Sequence, residues 1–389
     1  MFRPSKPVVL VASGLVVLVA LAASLAALVL RANAKPRLEA VASAALEMDV
    51  DVEGRFAVGF FPRLHISLND VHARKRGVEI ASADEIEVGI GLLPLLRNEV
   101  RIHTIGLKRL KIFIERDHDG RLNVSRSSET GGPRPALAAS KISMSDATLL
   151  YTNRQTGREI AAVDCRMDAS QLQFSPGDGP GAPTVLSVAG ELACARLQTT
   201  GVTASDLQLS FDGEGGIIDL APVTMRLFGG QGSGSVHADY SGLVPVYRVD
   251  YRLRQFGIDE FLEFLSPEQG GRRKVGEGSM DFSTTLTLQG KTVDALTQSA
   301  SGKASMHGGN LKLEIGDLDH KFSRYEASQS FNLVDVGAVF FAGPLALGVT
   351  KGYDFARVFE GSDGSTMIHV LVSNWRVERG VAYATDAAM

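Results

Sequence analysis

The sequence predicts a mainly β protein: an N-terminal transmembrane helix, then an elongated antiparallel sheet with a few short helices. Three observations carry that expectation. Val8 to Leu30 is a run of 23 residues without a charge. Beyond it, apolar and polar residues alternate with period two in one segment after another, the pattern of one-sided strands. The 41 glycines, with 44% hydrophobic and 7% aromatic residues, suit a strand-rich chain with many turns and argue against disorder.

As a helix rising about 1.5 Å per residue, Val8 to Leu30 is roughly 34 Å long, enough to cross a hydrocarbon core of about 30 Å with some tilt. A cleaved signal peptide is the rival, because Ala32-Asn33-Ala34 has the small-x-small form of a cleavage site. Signal-peptide cores run about 7 to 15 residues, so the length favours an uncleaved anchor, and both readings export the rest. Arg3 and Lys6 precede the run and Arg31, Lys35 and Arg37 follow it, so basic residues alone leave the orientation open.

Residues 1–31 hold Arg3, Lys6 and Arg31 and no acid, which leaves 37 of the 40 basic residues against all 44 acidic ones in the remainder. That acidic balance argues against nucleic acid or an anionic membrane surface as the main partner. The length allows one long domain or two compact ones.

The alternation begins at Met48, Val50 and Val52, which are interleaved with Asp49, Asp51 and Glu53. It returns at Leu64, Ile66 and Leu68, at Ile86, Val88, Ile90 and Leu92, and at Val100 and Ile102. Leu110, Ile112 and Ile114 continue it. Pro94 within Leu92 to Leu96 forbids a central strand there and suggests a helical interruption. Phe60, Phe61 and Pro62 read as packing at the first turn. Asp117-His118-Asp119-Gly120 is a tight-turn sequence that lacks the remaining ligands of a calcium loop. Residues 125–139, SRSSETGGPRPALAA, lose all periodicity, as a flexible loop does.

Alternation resumes at Ile142, Met144, Leu149 and Tyr151, with a hairpin turn near Thr156-Gly157, and runs on through Leu207, Leu209, Ile218, Leu220, Met225 and Leu227. GQGSGS at 230–235 has no following lysine or helix, so it is read as a strand turn and not a phosphate cradle. Gly257 to Leu265 is a helix, with Ile258, Phe261, Leu262 and Leu265 on one face and Pro267 as its stop. Residues 274–290 and 301–316 read as glycine-punctuated strand pairs, with a short helix at Thr292 to Gln298 between them. About eighteen to twenty strands at ~4.8 Å spacing make a sheet roughly 85 to 95 Å long.

Four segments follow from this pass: 1–36 as tip and anchor, 37–124 as a first β region, 125–139 as a loop, and 140–389 as the continuing sheet. Cys165 and Cys194 are the only cysteines. They flank the turn signal Pro176 to Gly181, and a hairpin pairing Phe174 with Val185 places them opposite each other. A cross-strand disulfide and two buried thiols both fit that placement.

Enzyme constellations are missing from the pattern. The eight histidines are dispersed, no GxSxG elbow stands between strand and helix, and neither cysteine lies in a nucleophile signature. Acid pairs such as Asp84 and Glu85 read as solvated turns. No catalytic residue, cofactor or metal is expected.

The order of these segments resembles AsmA-like proteins. The resemblance rests on ALEMDVDVEGRFAVGFFPRLHISLNDVHA at 45–73, LLPLL at 92–96 and the IERDHDGRLNV turn, then KISMSDATLLYTNRQTGRE at 141–159. LAPVTMRLFGGQGSGSVHADY, the IDEFLEFL helix and GEGSMDFSTTLTLQG extend it toward the C-terminus, where AGPLALGVTKGYDFARVF at 342–359 is also similar. In related sequences a stretch like NWRVERGVAYATDAA leads into further strands; here it stops at Met389, so the chain ends early in the pattern or is naturally short.

The resemblance implies an inner-membrane protein with one N-terminal anchor, a periplasmic body and a role in outer-membrane biogenesis. The family is also similar to chorein-type bridge proteins, which hold lipid tails in an open β-groove. A curved one-sided sheet suits that role, since an acyl chain needs only an apolar lining; fourteen methylenes are worth on the order of 11 kcal/mol.

The expected lining residues near the anchored end are Ile66, Leu68, Ile86, Val88, Ile90, Ile112 and Ile114. The expected partners are phospholipid, the inner membrane through Val8 to Leu30, and envelope proteins, with no nucleic acid. The alternative is a non-catalytic scaffold or assembly factor whose apolar faces close into an ordinary core.

Overall fold

The computed structural model describes residues 35–36, 38–40, 42–43, 46–59, 64–90, 102–124, 140–175, 184–199, 202–265, 276–313, 330–332 and 366–388. The Val8 to Leu30 run, Phe60 to Pro62, Leu92 to Leu96 and the 125–139 loop lie outside them. Among the described residues no helix is long and apolar enough to cross a membrane.

Among the described residues the alternating segments build one large curved sheet of eighteen strands. The first region supplies β1 (Asp49–Val52), β2 (Phe56–Gly59), β3 (His65–Lys75), β4 (Val78–Ile90), β5 (Ile102–Lys108) and β6 (Lys111–Arg116). Longer strands follow: β7 (Lys141–Asn153), β8 (Arg158–Ser175), β9 (Thr184–Thr199), β10 (Val202–Glu214), β11 (Ile217–Leu227), β12 (Gly230–Asp239) and β13 (Val246–Gly257). The sheet ends with β14 (Gly276–Gln289), β15 (Ser301–Leu313), β16 (Ser330–Asn332), β17 (Thr366–Glu378) and β18 (Val381–Ala388).

Each strand from β7 to β15 pairs with the next; β17 then adds to β15, β18 to β17 and β16 to β18. β1 and β2 share one edge of β3, as two halves of an interrupted strand. β5 and β6 likewise share an edge of β4.

The sheet is mixed, which corrects the antiparallel expectation. β5 and β6 both run parallel to β7. Parallel neighbours need a long crossover, and residues 117–140 provide the chain length for one.

Two further expectations change. GQGSGS is part of strand β12, with the turn before it at Phe228-Gly229. Residues 276–289 and 301–313 are each one long strand, paired with each other. Their glycines sit inside the strands: Gly278 and Gly302 adopt positive φ, at 124° and 152°.

The turns and helices follow their local chemistry. Asp117 closes its turn by accepting the Gly120 and Arg121 amides, on its carbonyl and Oδ1 at 3.1 and 2.8 Å. Helix α1 (Ile258–Leu265) buries Ile258 and Phe261 against Phe228 and Phe256, ring against ring. Helix α2 (Val293–Ser299) starts at Thr292, whose hydroxyl caps the Ala295 amide. The helical residues before β1 cover its open edge. Ser43 Oγ accepts the Val50 amide and Glu39 Oε1 the Val52 amide, so these two edge groups are satisfied.

Candidate functional site

Paired residues in a sheet point to the same face, so the register defines which side chains share a surface. On one face an apolar row starts at Phe56, Leu68, Ile86 and Leu107. It continues through Met144, Met167, Leu192, Leu209 and Val223. Gly234, Tyr251, Thr284, Ala304 and Trp375 complete it. A second row runs beside it from Val58, Ile66, Val88 and Ile105 to Val236, Val249 and Leu286. This inner face spans the sheet without a charged side chain in either row.

Strict alternation does not produce this face. Asp70, Arg109, Asp146, Asp164, Asp206, Gln255 and Asn310 adopt left-handed φ between 49° and 57° in mid-sheet. All but Asn310 stand between two apolar residues three apart, as in Leu68 and Val71, Met144 and Ala147, Ala204 and Leu207, or Leu253 and Phe256. The extra residue lets both flanks turn inward and bends the strand. Aspartate and asparagine accept the left-handed region better than most residues.

Disulfide-bonded Cys165 and Cys194 lie on this line, directly opposite each other in the register that also pairs Phe174 with Val185. Both are buried, next to Ala147 and Leu207 in the larger apolar cluster.

The seven expected lining residues are distributed as follows. Ile66 faces Val88 and Leu68 faces Ile86 across β3 and β4. Ile90 lies opposite Ile102, and Ile112 opposite both Ala81 and Leu149, beyond the bend at Arg109. Ile114 faces Tyr151. Leu68 is buried with Val50, Val52 and Val71; the other six are half-buried.

The sequence reading missed Leu107, Met167 and Leu192, which continue the row. The repeated form apolar-x-(Asp/Arg/Gln)-apolar, seen in LNDV, LKRL, MSDA, AVDC, ASDL and LRQF, was the available signal.

Cover over the inner face differs along the sheet. Met144, Met167, Leu192 and Leu209 are only half-buried although each has an apolar neighbour on both flanking strands. From β12 onward the same rows are closed: Tyr251 is 2% exposed, Val249 2% and Leu286 1%. The glycines of β12 make room there. A side chain at Gly232 would run into the Tyr251 hydroxyl, which is buried without a hydrogen-bond partner.

Beyond Ile114, Tyr151 and Ile160 the next register row is polar, Arg116, Asn153 and Arg158. The Arg116 Nε is buried there without a partner.

The outer face is charged. Arg74 bridges Asp51 and Glu53 at 3.0 and 2.9 Å and, by its hydrogen bond, holds the Glu53 carboxyl below the usual range. Lys108 pairs with Glu85 and Arg109 with Asp84, and each cation is held above its ordinary value by that bond. Among the described residues Glu53, Asp70 and His72 have donor atoms within 4.8 Å of one another, close enough for a metal ion. They are engaged with their neighbours instead: His72 hydrogen-bonds Asp70 and Glu79 at 3.2 Å each, and Glu53 accepts from Arg74.

A family model described as the AsmA family matches residues 1–155 and 181–321. The chain belongs to the AsmA family. Neither a curated protein nor a solved structure matches it. Membership suggests a function related to the cell envelope. In this AsmA family protein the matched residues cover the open inner face of β4 to β7 and much of the closed core.

Proposed function

We propose that this AsmA family protein is held in the inner membrane by Val8 to Leu30, with its body in the periplasm. Its inner face binds phospholipid acyl chains in transit between membranes, and no catalytic step is involved. The observation that carries this reading is the row Met144, Met167, Leu192 and Leu209: apolar, continuous in register and only half covered by protein. Apolar side chains left in water at that density are costly, and an acyl chain laid along them regains about 0.8 kcal/mol per buried methylene.

The scaffold reading is favoured by a different observation, the closed packing around Leu253, Phe256 and Leu286. Both are accommodated if β4 to β10 carry ligand and the later strands stabilise the sheet.

Photo-crosslinking in cells tests this. A photoreactive residue replaces Met167 or Leu209 in the full chain, with exposed Arg166 as the outer-face control. Phospholipid adducts at the two inner positions and none at Arg166 are expected. Protein adducts alone at Met167 and Leu209 would overturn the lipid reading in favour of the scaffold.

A further inference from the structure

One end of the sheet carries an apolar tip beyond the two rows of the inner face. The β12 to β13 hairpin presents Leu243 at 93% exposure, with Val244 and Tyr240 beside it at 42% and 47%. Ile217, at the neighbouring hairpin, is 39% exposed. These four are among the ten exposed large apolar side chains of the described residues, so the tip concentrates what the rest of the surface scatters.

The tip is built to hold its shape. Tyr240 and Tyr247 pack edge to face with ring centroids 5.8 Å apart, and their hydroxyls lie 3.2 Å apart. Asp239 Oδ1 accepts both the Ser241 amide and hydroxyl, at 2.9 and 2.6 Å. The Tyr240 amide donates to the Gly216 carbonyl and the Gly290 amide to the Pro245 carbonyl, which tie three adjacent connections together. From 240 to 247, YSGLVPVY, no residue is charged, and exposed Lys291 stands on the neighbouring connection.

We propose that this end of the sheet docks on a lipid bilayer, with Leu243 and Val244 inserted among the acyl chains and the tyrosine pair at headgroup level. A protein partner asks for a broad patch, about 800 Å² per side in a standard interface. A single projecting leucine backed by amphipathic rings and a lysine suits the membrane boundary, where such rings concentrate. The tyrosine pair continues the inner face past Val236 and Val249, but Leu243 and Val244 stand beyond the last paired residues, Asp239 and Val246, so the proposal does not depend on lipid in the inner face.

The test uses the full chain in nanodiscs with Leu243→Cys carrying an environment-sensitive fluorophore; Cys165 and Cys194 are bonded and do not compete for label. Val78→Cys is the control, an apolar residue 61% exposed at the opposite end of the strands. Brominated phospholipid is placed either in the nanodisc or in added vesicles, which separates the host bilayer from an apposed one. Quenching by about twofold or more at 243 in either arm, and none at 78, is the expected result for interfacial insertion. No quenching in both arms, or equal quenching at the two positions, overturns the proposal; the first outcome would assign the tip to a protein partner.

Discussion

Cys165 is bonded to Cys194 across β8 and β9, one residue past left-handed Asp164. The covalent link and the bend therefore occupy the same level of the sheet, beneath the half-open row formed by Met167 and Leu192. Because the bonded residues are 29 apart in sequence, the chain-entropy argument assigns the link about 3 to 4 kcal/mol. Replacing both cysteines by alanine should lower the denaturant midpoint by a corresponding amount while strand content by circular dichroism is kept. An unchanged midpoint would show that the sheet alone closes this level.

Asp164 tests the bend itself. Its φ of 53° is open to glycine at little cost and closed to β-branched residues. Asp164→Gly should stay within about 1 kcal/mol of the parent, whereas Asp164→Val should lose roughly 1 to 2 kcal/mol or more. Urea unfolding distinguishes them; equal stability of the two variants would mean that the left-handed turn is not required here.

Gly232 and Tyr251 form a packing pair. Gly232→Ala forces the ring to move and should cost about 1 to 3 kcal/mol. Tyr251→Phe removes a buried hydroxyl that has no partner and should be neutral or stabilising by roughly 1 kcal/mol. Burial also pushes the Tyr251 hydroxyl up from its ordinary pKa. If Tyr251→Phe were strongly destabilising in calorimetry, the hydroxyl would have to be satisfied by something beyond the protein atoms.

Acid should loosen the first part of the sheet. Glu53 is lowered chiefly by its hydrogen bond from Arg74, Glu79 by Ser82 with His72 adding to it, and Glu115 by Arg154. Lowered folded values mean the stabilisation is complete at neutral pH and disappears as pH falls below the ordinary value of 4.5. Hydrogen exchange at pH 3.5 should therefore increase in β3, β4, β6 and β7 before it does in β13 and β14. Simultaneous loss in both regions would contradict this assignment.

Tyr247 behaves in the opposite sense. Burial and the Tyr240 hydroxyl raise it to about 12, so its contribution holds below the ordinary value of 10.0 and is lost as pH rises through 12. Ultraviolet titration should find two late-ionising tyrosines, Tyr251 and Tyr247, of which Tyr247→Phe removes one, whereas loss of a late component on Tyr383→Phe would misplace it.

Much of this was legible in the residues. Period two marks β3, β4 and β6, Ile258 with Phe261 marks α1, and Thr292 marks the start of α2, because each depends on neighbours within a few positions. The row through Leu107, Met167 and Leu192 was not legible from period two alone, since the bends shift the period from two to three within strands. The parallel β5, β6 and β7 were hidden too, because crossover direction is a property of the whole sheet.

The sequence by itself determined a mainly β, one-sided chain of the AsmA family and which residue types line its apolar side. Only the tertiary structure decided where that side is open and where it is closed. Met167 and Leu253 are equally apolar in the sequence, yet the first is half-buried and the second 1% exposed. Burial depends on how far the sheet curls over itself, and that curl follows from left-handed residues aligned across strands far apart in the chain.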